Sequence, residues 1–369
     1  MKITFNLALV LAVFSIFVIK TDAFLDLLSF GMQLVFDGMR KSSIQKRIPP
    51  SNRDDSIQYL LYTPSNRNEP CLIQPNPEQF DRCAFNANYE TKFLIHGFIV
   101  QLIPGNLINI MKDALLEHDN YNVIVVNWTT YGVMPFRNAF KNSQVVGEKV
   151  GEMMTFIQSH AKVSPKTFHC IGHSLAFNLC SIAGRHVHTL GRITGLDPEG
   201  MSLRWQYISN ISSDPTDADF VDVIHTSSTD KGGGLGLEEA VGHFDFYPNG
   251  GVQQTPCDYG NTYKITSGKE FRVRTVVDKI ICSHHAGIYY FTHSITDRCK
   301  FTANACQSYL DFQEGRCSSG TTTQMGFHAK KIPGILPKTK FYLNTLGHPP
   351  YWEEEELGLN DIPDDSKVC

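Results

Sequence analysis

The sequence predicts an α/β fold with a mostly parallel central sheet and helices on both faces. Three observations carry that prediction. Strand-like and helix-like runs alternate from residue 57 to residue 224, the pattern of a sheet built by crossover helices. His96, Ser174, Asp197 and His225 each stand where a strand-like run ends, and such sheets place their sites beyond the carboxyl ends of their strands. Gly172-His173-Ser174-Leu175-Ala176 reads as a sharp strand-to-helix turn with a serine at its tip.

The elements follow in order. Residues 57–62 alternate enough for a strand and stop at Thr63-Pro64. Residues 71–83 contain Pro and Asn between two cysteines and read as a loop. Residues 91–95 form a second strand ending in His96-Gly97-Phe98, and 107–116 an amphipathic helix. The Val-Ile-Val-Val run in 121–128 suits a strand buried on both faces. A helix is predicted over 143–161, then the turn and its helix over 168–184. Strands follow at 192–196 and 220–224. Beyond Cys257 the periodicity is less regular.

The turn has a chemical reading. Small residues flank the serine because strand and helix backbones pass close together there. The strained tip projects the hydroxyl above the sheet, beside backbone N–H groups. A serine hydroxyl attacks only when an imidazole takes its proton and a carboxylate orients that imidazole. Ser174 is the candidate nucleophile and Asp197 the candidate acid, with Asp222 as runner-up. Cys282-Ser283-His284-His285 offers two imidazoles, and spacing does not choose between them. The N–H of Leu175 and, after an earlier strand, that of Phe98 are candidate donors to a developing oxyanion. His186, His188, His293 and His328 read as structural.

Composition sets the context. Of 369 residues, 42% are hydrophobic, ample for a core. Lys2, the apolar run 5–19 and a small residue at Ala23 read as a secretory signal peptide over 1–23. Residues 24–50 read as a lead-in with a Lys46-Arg47 pair, 51–350 as one folded domain, and 351–369 as an acidic, disordered tail. The tail accounts for much of the net charge of −4. No strong basic field is left for a nucleic-acid partner, and no later run is long enough to be a transmembrane segment. Ten cysteines suit an oxidising compartment. Cys170 and Cys180 are expected as buried free thiols. Cys71, Cys83, Cys257, Cys282, Cys299, Cys306, Cys317 and Cys369 are expected in bridges, Cys71 with Cys83 closing a short loop. Asn210 begins a credible glycosylation sequon, whereas the one at Asn127 falls in or beside a strand.

Assembled in order, these pieces resemble the pancreatic lipase family of secreted serine esterases. The resemblance rests on Lys92-Phe93-Leu94-Ile95-His96-Gly97-Phe98, on 123–128, and on Gly172-His173-Ser174-Leu175. It rests also on Gly195-Leu196-Asp197-Pro198, 214–226, 241–251, Cys282-Ser283-His284 and Phe341-Tyr342-Leu343-Asn344-Thr345. It implies an α/β-hydrolase fold with Ser174, Asp197 and His284 as the triad and Phe98 and Leu175 at the oxyanion. Cys257 and Cys282 would clasp a lid over 258–281, long as in triacylglycerol lipases. The reaction implied is ester hydrolysis of acylglycerols at an oil–water or membrane interface, with no cofactor in the chemistry. Asp214 and Asp217 match carboxylates that hold a structural calcium in some members, although Asp214-Pro215 also reads as a helix start. Phospholipase A1 is the alternative activity. A catalytically weak or inactive lipid-binding, yolk-type relative is a second alternative. The chain departs from the family pattern at Ala176, Phe177, Asn178, Asn127 and Ala286, and none of these removes a triad group. No C-terminal β-sandwich for a cofactor protein is expected after Thr345.

Overall fold

A computed structural model describes residues 57–98, 102, 106–132, 136–200, 213–228, 234–257, 273–296 and 300–345. These residues build one eleven-stranded sheet. Its strands are β1 (Gln58–Tyr62), β2 (Cys71–Ile73), β3 (Glu90–Ile95), β4 (Tyr121–Asn127), β5 (Phe168–His173), β6 (Arg192–Leu196), β7 (Phe220–Ile224), β8 (Phe244–Pro248), β9 (Thr302–Ala305), β10 (Thr322–Gln324) and β11 (Thr339–Leu343). The spatial order is β10-β9-β11-β8-β7-β6-β5-β3-β4-β1-β2. Every pairing from β4 to β11 across the middle is parallel. Antiparallel strands close both flanks.

Four long helices cover the sheet: α1 (Leu107–His118), α2 (Phe136–Ala161), α3 (Ala176–Val187) and α4 (Val273–Ile295). Alternation along the central strands divides the core in two. Phe93, Ile95, Cys170 and Ile193 pack with Val146, Val150 and Met154 of α2 and Leu179 and Ala183 of α3. Leu94, Ile171 and Leu196 face Met111 and Leu115 of α1 and Tyr290 and Phe291 of α4. Both faces are therefore dry, which is why Val123 to Val126 of β4 read as an unbroken apolar run.

The first half matches its sequence reading closely; α2 begins at Phe136, about two turns earlier than predicted. The differences are instructive. Cys71–Ile73 is an edge strand where a loop was expected, because β1 supplies its partners. The stretch proposed as a lid is outside the described residues over 258–272, and from Val273 it is helical, continuing into α4. The expected signal peptide, lead-in, acidic tail and Asn210 also lie outside the described residues. Asn127 closes β4, its amide engaged with Gln58 and Thr129.

Four disulfides occur among the described residues: Cys71–Cys83, Cys170–Cys180, Cys257–Cys282 and Cys306–Cys317. The first and third were expected. The second corrects an expectation: Cys170 and Cys180 are not free thiols but are bonded to one another, with Cα atoms 5.6 Å apart. The strand-to-helix turn brings them face to face, a proximity that residue spacing alone does not reveal.

Candidate active site

The site begins with a ladder that outlasts its strands. Ser174, Asp197 and His225 follow the last residues of β5, β6 and β7. Ser174 N donates to Leu196 O (3.0 Å), Asp197 N to Ile224 O (2.8 Å) and His225 N to Phe246 O (2.8 Å). Sheet pairing thus fixes the spacing of these three backbones.

Ser174 has φ +56° and Asp197 φ +45°. Non-glycine residues rarely adopt such angles, and where they do the surroundings must hold them. At Ser174 the surroundings are steric. A Cβ on Gly172 would run into the Ala176 carbonyl, and one on Gly97 would lie 3.1 Å from the Ser174 Cβ. Leu175 caps α3 without a side-chain bond. Ser174 is 7% exposed.

At Asp197 the surroundings are polar. Its Oδ1 accepts from the N–H groups of Thr226 (2.6 Å) and Ser227 (2.9 Å). Its Oδ2 accepts from the Ser227 hydroxyl and from His284 Nδ1 (2.6 Å). A carboxylate with no exposure survives burial only when its lone pairs are taken up in this way. The bond to Asp197 also fixes the His284 tautomer. The proton sits on Nδ1, leaving the Nε2 lone pair free to accept.

His284 is thus the imidazole that meets the acid. It sits on α4, and the Cys257–Cys282 bridge ties the chain two residues before it. The neighbouring imidazole, His285, has its ring centroid 5.4 Å from that of His173, and burial lowers its pKa to about 4. Asp222, the runner-up acid, is excluded. It faces into the sheet, where Arg192 grips both its oxygens (2.8 and 2.9 Å) and Thr194 donates to it (2.9 Å).

Phe98 follows Gly97 at the end of β3. His96 Nε2 accepts from Trp128 N (3.3 Å), so its proton is on Nδ1 and donates to Gly97 O (2.8 Å). That carbonyl and the Phe98 N–H belong to one peptide plane, so His96 orients the candidate donor from behind. Burial holds His96 neutral, with its pKa lowered to about 4.

Sequence reading missed three contributors. Ser227 gives a backbone and a hydroxyl bond to Asp197. His173 Nε2 bonds the main-chain oxygen of His284 (3.0 Å), joining the turn to α4. Gln254 is fully buried; its N–H donates to Ser283 Oγ (3.1 Å) and its side-chain amide to Thr226 O (2.9 Å). It therefore links the segment that cradles Asp197 with the segment that carries His284. Only the proximity of Ser227 to the strand end at Ile224 could have flagged any of the three.

Comparison with known sequences shows the family. The family model described as Lipase matches residues 23–351. The chain belongs to the pancreatic lipase family. It is 36% identical to a pancreatic triacylglycerol lipase of Cavia porcellus over 313 residues, 82% of this chain and 66% of that protein. Its identity to the Homo sapiens pancreatic triacylglycerol lipase is 35%, over 81% of this chain and 65% of the relative. It is also 32% identical, over 81% of its length and 65% of the other's, to an inactive pancreatic lipase-related protein 1 of Canis lupus familiaris. The chain thus spans just under two thirds of the length of these relatives.

The calcium that the family resemblance implies does not fit the described carboxylates. Asp214 and Asp217 form a capping box: Thr216 N donates to Asp214 Oδ1 (2.7 Å) and Asp214 N to Asp217 Oδ2 (3.0 Å). The remaining Asp217 oxygen takes the Arg185 guanidinium (2.9 Å), a cation where a metal would stand. Residues 201–212, just upstream, lie outside the description. Among the described residues no helix is long and apolar enough to cross a membrane.

Proposed function

We propose that this chain is a secreted serine lipase that hydrolyses the carboxylic ester bonds of acylglycerols through an acyl-enzyme. The observation that carries this reading is the buried bond between Asp197 and His284, beside a serine whose backbone is strained. Four disulfides among the described residues support an extracellular setting.

In the proposed reaction Ser174 Oγ attacks the ester carbonyl carbon as His284 Nε2 takes its proton. Negative charge collects on the carbonyl oxygen and is met by the N–H groups of Leu175 and Phe98. Asp197 holds the imidazolium that forms. His284 then returns the proton to the departing glycerol oxygen, leaving an acyl group on Ser174. Water, deprotonated by His284, attacks that acyl carbon. Collapse of the second tetrahedral intermediate releases the fatty acid and restores the serine. No cofactor enters these steps.

An organophosphonate that reacts with activated serines tests the reading. Intact mass should show one adduct on the wild type, mapped to Ser174, and none on Ser174→Ala. Ester hydrolysis by that variant should fall about 10⁶-fold in kcat. Wild-type protein that binds lipid but takes no label would instead make this chain an inactive relative. The inactive family member among its relatives, together with Ala176 in the turn, gives that second reading its footing. Supplying triacylglycerol and phosphatidylcholine separately distinguishes a triacylglycerol lipase from a phospholipase A1.

A further inference from the structure

The Cys170–Cys180 bridge encloses the strand-to-helix turn. We infer that it is a positioning device for the Ser174 hydroxyl and the Leu175 N–H, and not a general staple of the fold. The inference rests on the proposed reaction at Ser174.

Cys170 on β5 and Cys180 on α3 stand on opposite sides of Ser174, with a sequence separation of 10. Both are fully buried. The covalent ring they close contains the strained Ser174, the candidate donor Leu175 and the first turn of α3. No cap or charge anchors the start of that turn, although the Asn178 side chain bonds Glu199 (3.4 Å) and Ser213 (3.3 Å). Leu175 makes no capping bond, and no acidic residue lies in the first turn to oppose the helix dipole. Its first bonds are short-range ones, Phe177 N to Ser174 O (3.1 Å) and Asn178 N to Leu175 O (3.2 Å).

The close contacts at the turn only push. Gly172 against Ala176 and Gly195 against the Phe177 ring set how near strand and helix can come. They do nothing to stop α3 lifting away from β5, which is the motion that would relax φ at Ser174 and displace the Leu175 N–H. Core packing of Leu179 and Ala183 holds the body of α3 down, and the bridge adds a covalent tie at the turn itself. It joins the strand before the serine to the helix after it.

The Cys71–Cys83 bridge provides a control. It closes a loop of nearly the same length, separation 12, on the edge strand β2. Chain-entropy stabilisation depends on loop length, so removing either bridge should cost similar global stability. Only the first should alter chemistry at Ser174.

Cys170→Val/Cys180→Ala and Cys71→Ala/Cys83→Ala would be compared with wild type for phosphonate labelling and hydrolysis of a short-chain ester. Removing the turn bridge should lower kcat and the labelling rate about 10- to 100-fold, the cost of a small misplacement of reacting groups. KM should stay within about twofold, and the pH of half-maximal labelling should not move, because the Asp197–His284 bond is untouched. The control variant should label at the wild-type rate. A folded turn-bridge variant labelling as fast as wild type overturns the inference.

Should that variant fail to fold, hydrogen exchange on the wild type decides. The hydrogen-bonded amides of Ser174, Phe177 and Asn178 should exchange as slowly as those of β5; faster exchange with the bridge intact overturns the inference. Wild-type protein that takes no label removes the proposed reaction, and comparing exchange before and after reduction of the bridge still shows whether it restrains the turn.

Discussion

Ser174 and Asp197 are neighbours across the sheet, and both hold left-handed backbone angles, but they are held by opposite means. Around Ser174 the constraint is contact and covalency: two glycines, an uncapped helix and a disulfide. Around Asp197 it is hydrogen bonding: two N–H groups, a hydroxyl and an imidazole on one carboxylate. The difference follows from what each must do. A nucleophile has to keep its oxygen unencumbered, so its restraint must come from atoms that do not bond to it. A carboxylate that supports an imidazolium works best with every lone pair engaged.

Substitutions that exchange the two kinds of restraint should break the comparison. The largest effect is expected from Asp197→Asn. The amide oxygen can still accept from Thr226 and Ser227, but its NH2 would face His284 Nδ1 and force the other tautomer. Hydrolysis should fall about 10⁴-fold with the melting temperature nearly kept. A variant with more than a tenth of wild-type kcat would show that Asp197 does not serve the imidazole.

Gly172→Ala attacks the steric side. The new methyl meets main chain that cannot swing aside, so urea unfolding should show a loss of about 1–3 kcal/mol. An unchanged midpoint would refute close backbone approach as the restraint on the turn.

His96 adds a pH signature to the same side. Its folded pKa of about 4 lies below the unfolded value of 6.5. Between these values the unfolded chain binds more protons, so stability falls as pH drops from about 6.5 towards 4. For this one group the loss by pH 4.5 is about 2–3 kcal/mol. Urea titrations at pH 7 and 4.5 should show a smaller difference for His96→Gln; an identical difference would mean that His96 titrates normally.

The smallest effect sharpens the polar side. Ser227→Ala removes one hydroxyl from Asp197 Oδ2 and leaves the two N–H donors. A loss of about 1 kcal/mol and roughly tenfold slower hydrolysis are expected. No change in either would leave the N–H pair as the whole of the restraint.

The parallel centre of the sheet was legible because buried strands and crossover helices have distinct periods, and their punctuation was intact. Val123 to Val126 and the Ser174 turn announced themselves in this way. The candidate acid was legible from its place after β6; the choice of His284 over His285 came from family likeness, and His284 is the one bonded to Asp197. What escaped was long-range. β9 and β10 are short and polar, and only pairing makes them strands, β9 with β11 and β10 with β9. Gln254 and His173 act through partners roughly 30 and 110 residues away. Cys170 and Cys180 looked like two inert apolar residues because strand and helix were read separately.

The ladder beyond the strand ends has a consequence for biosynthesis. Ser174, Asp197 and His225 acquire their spacing only when β5 to β8 are zipped side by side. A fragment cut before residue 244 carries Ser174 and Asp197 but lacks both β8, which completes the ladder, and His284. The three backbones therefore take up their spacing together, and only after most of the chain has been made.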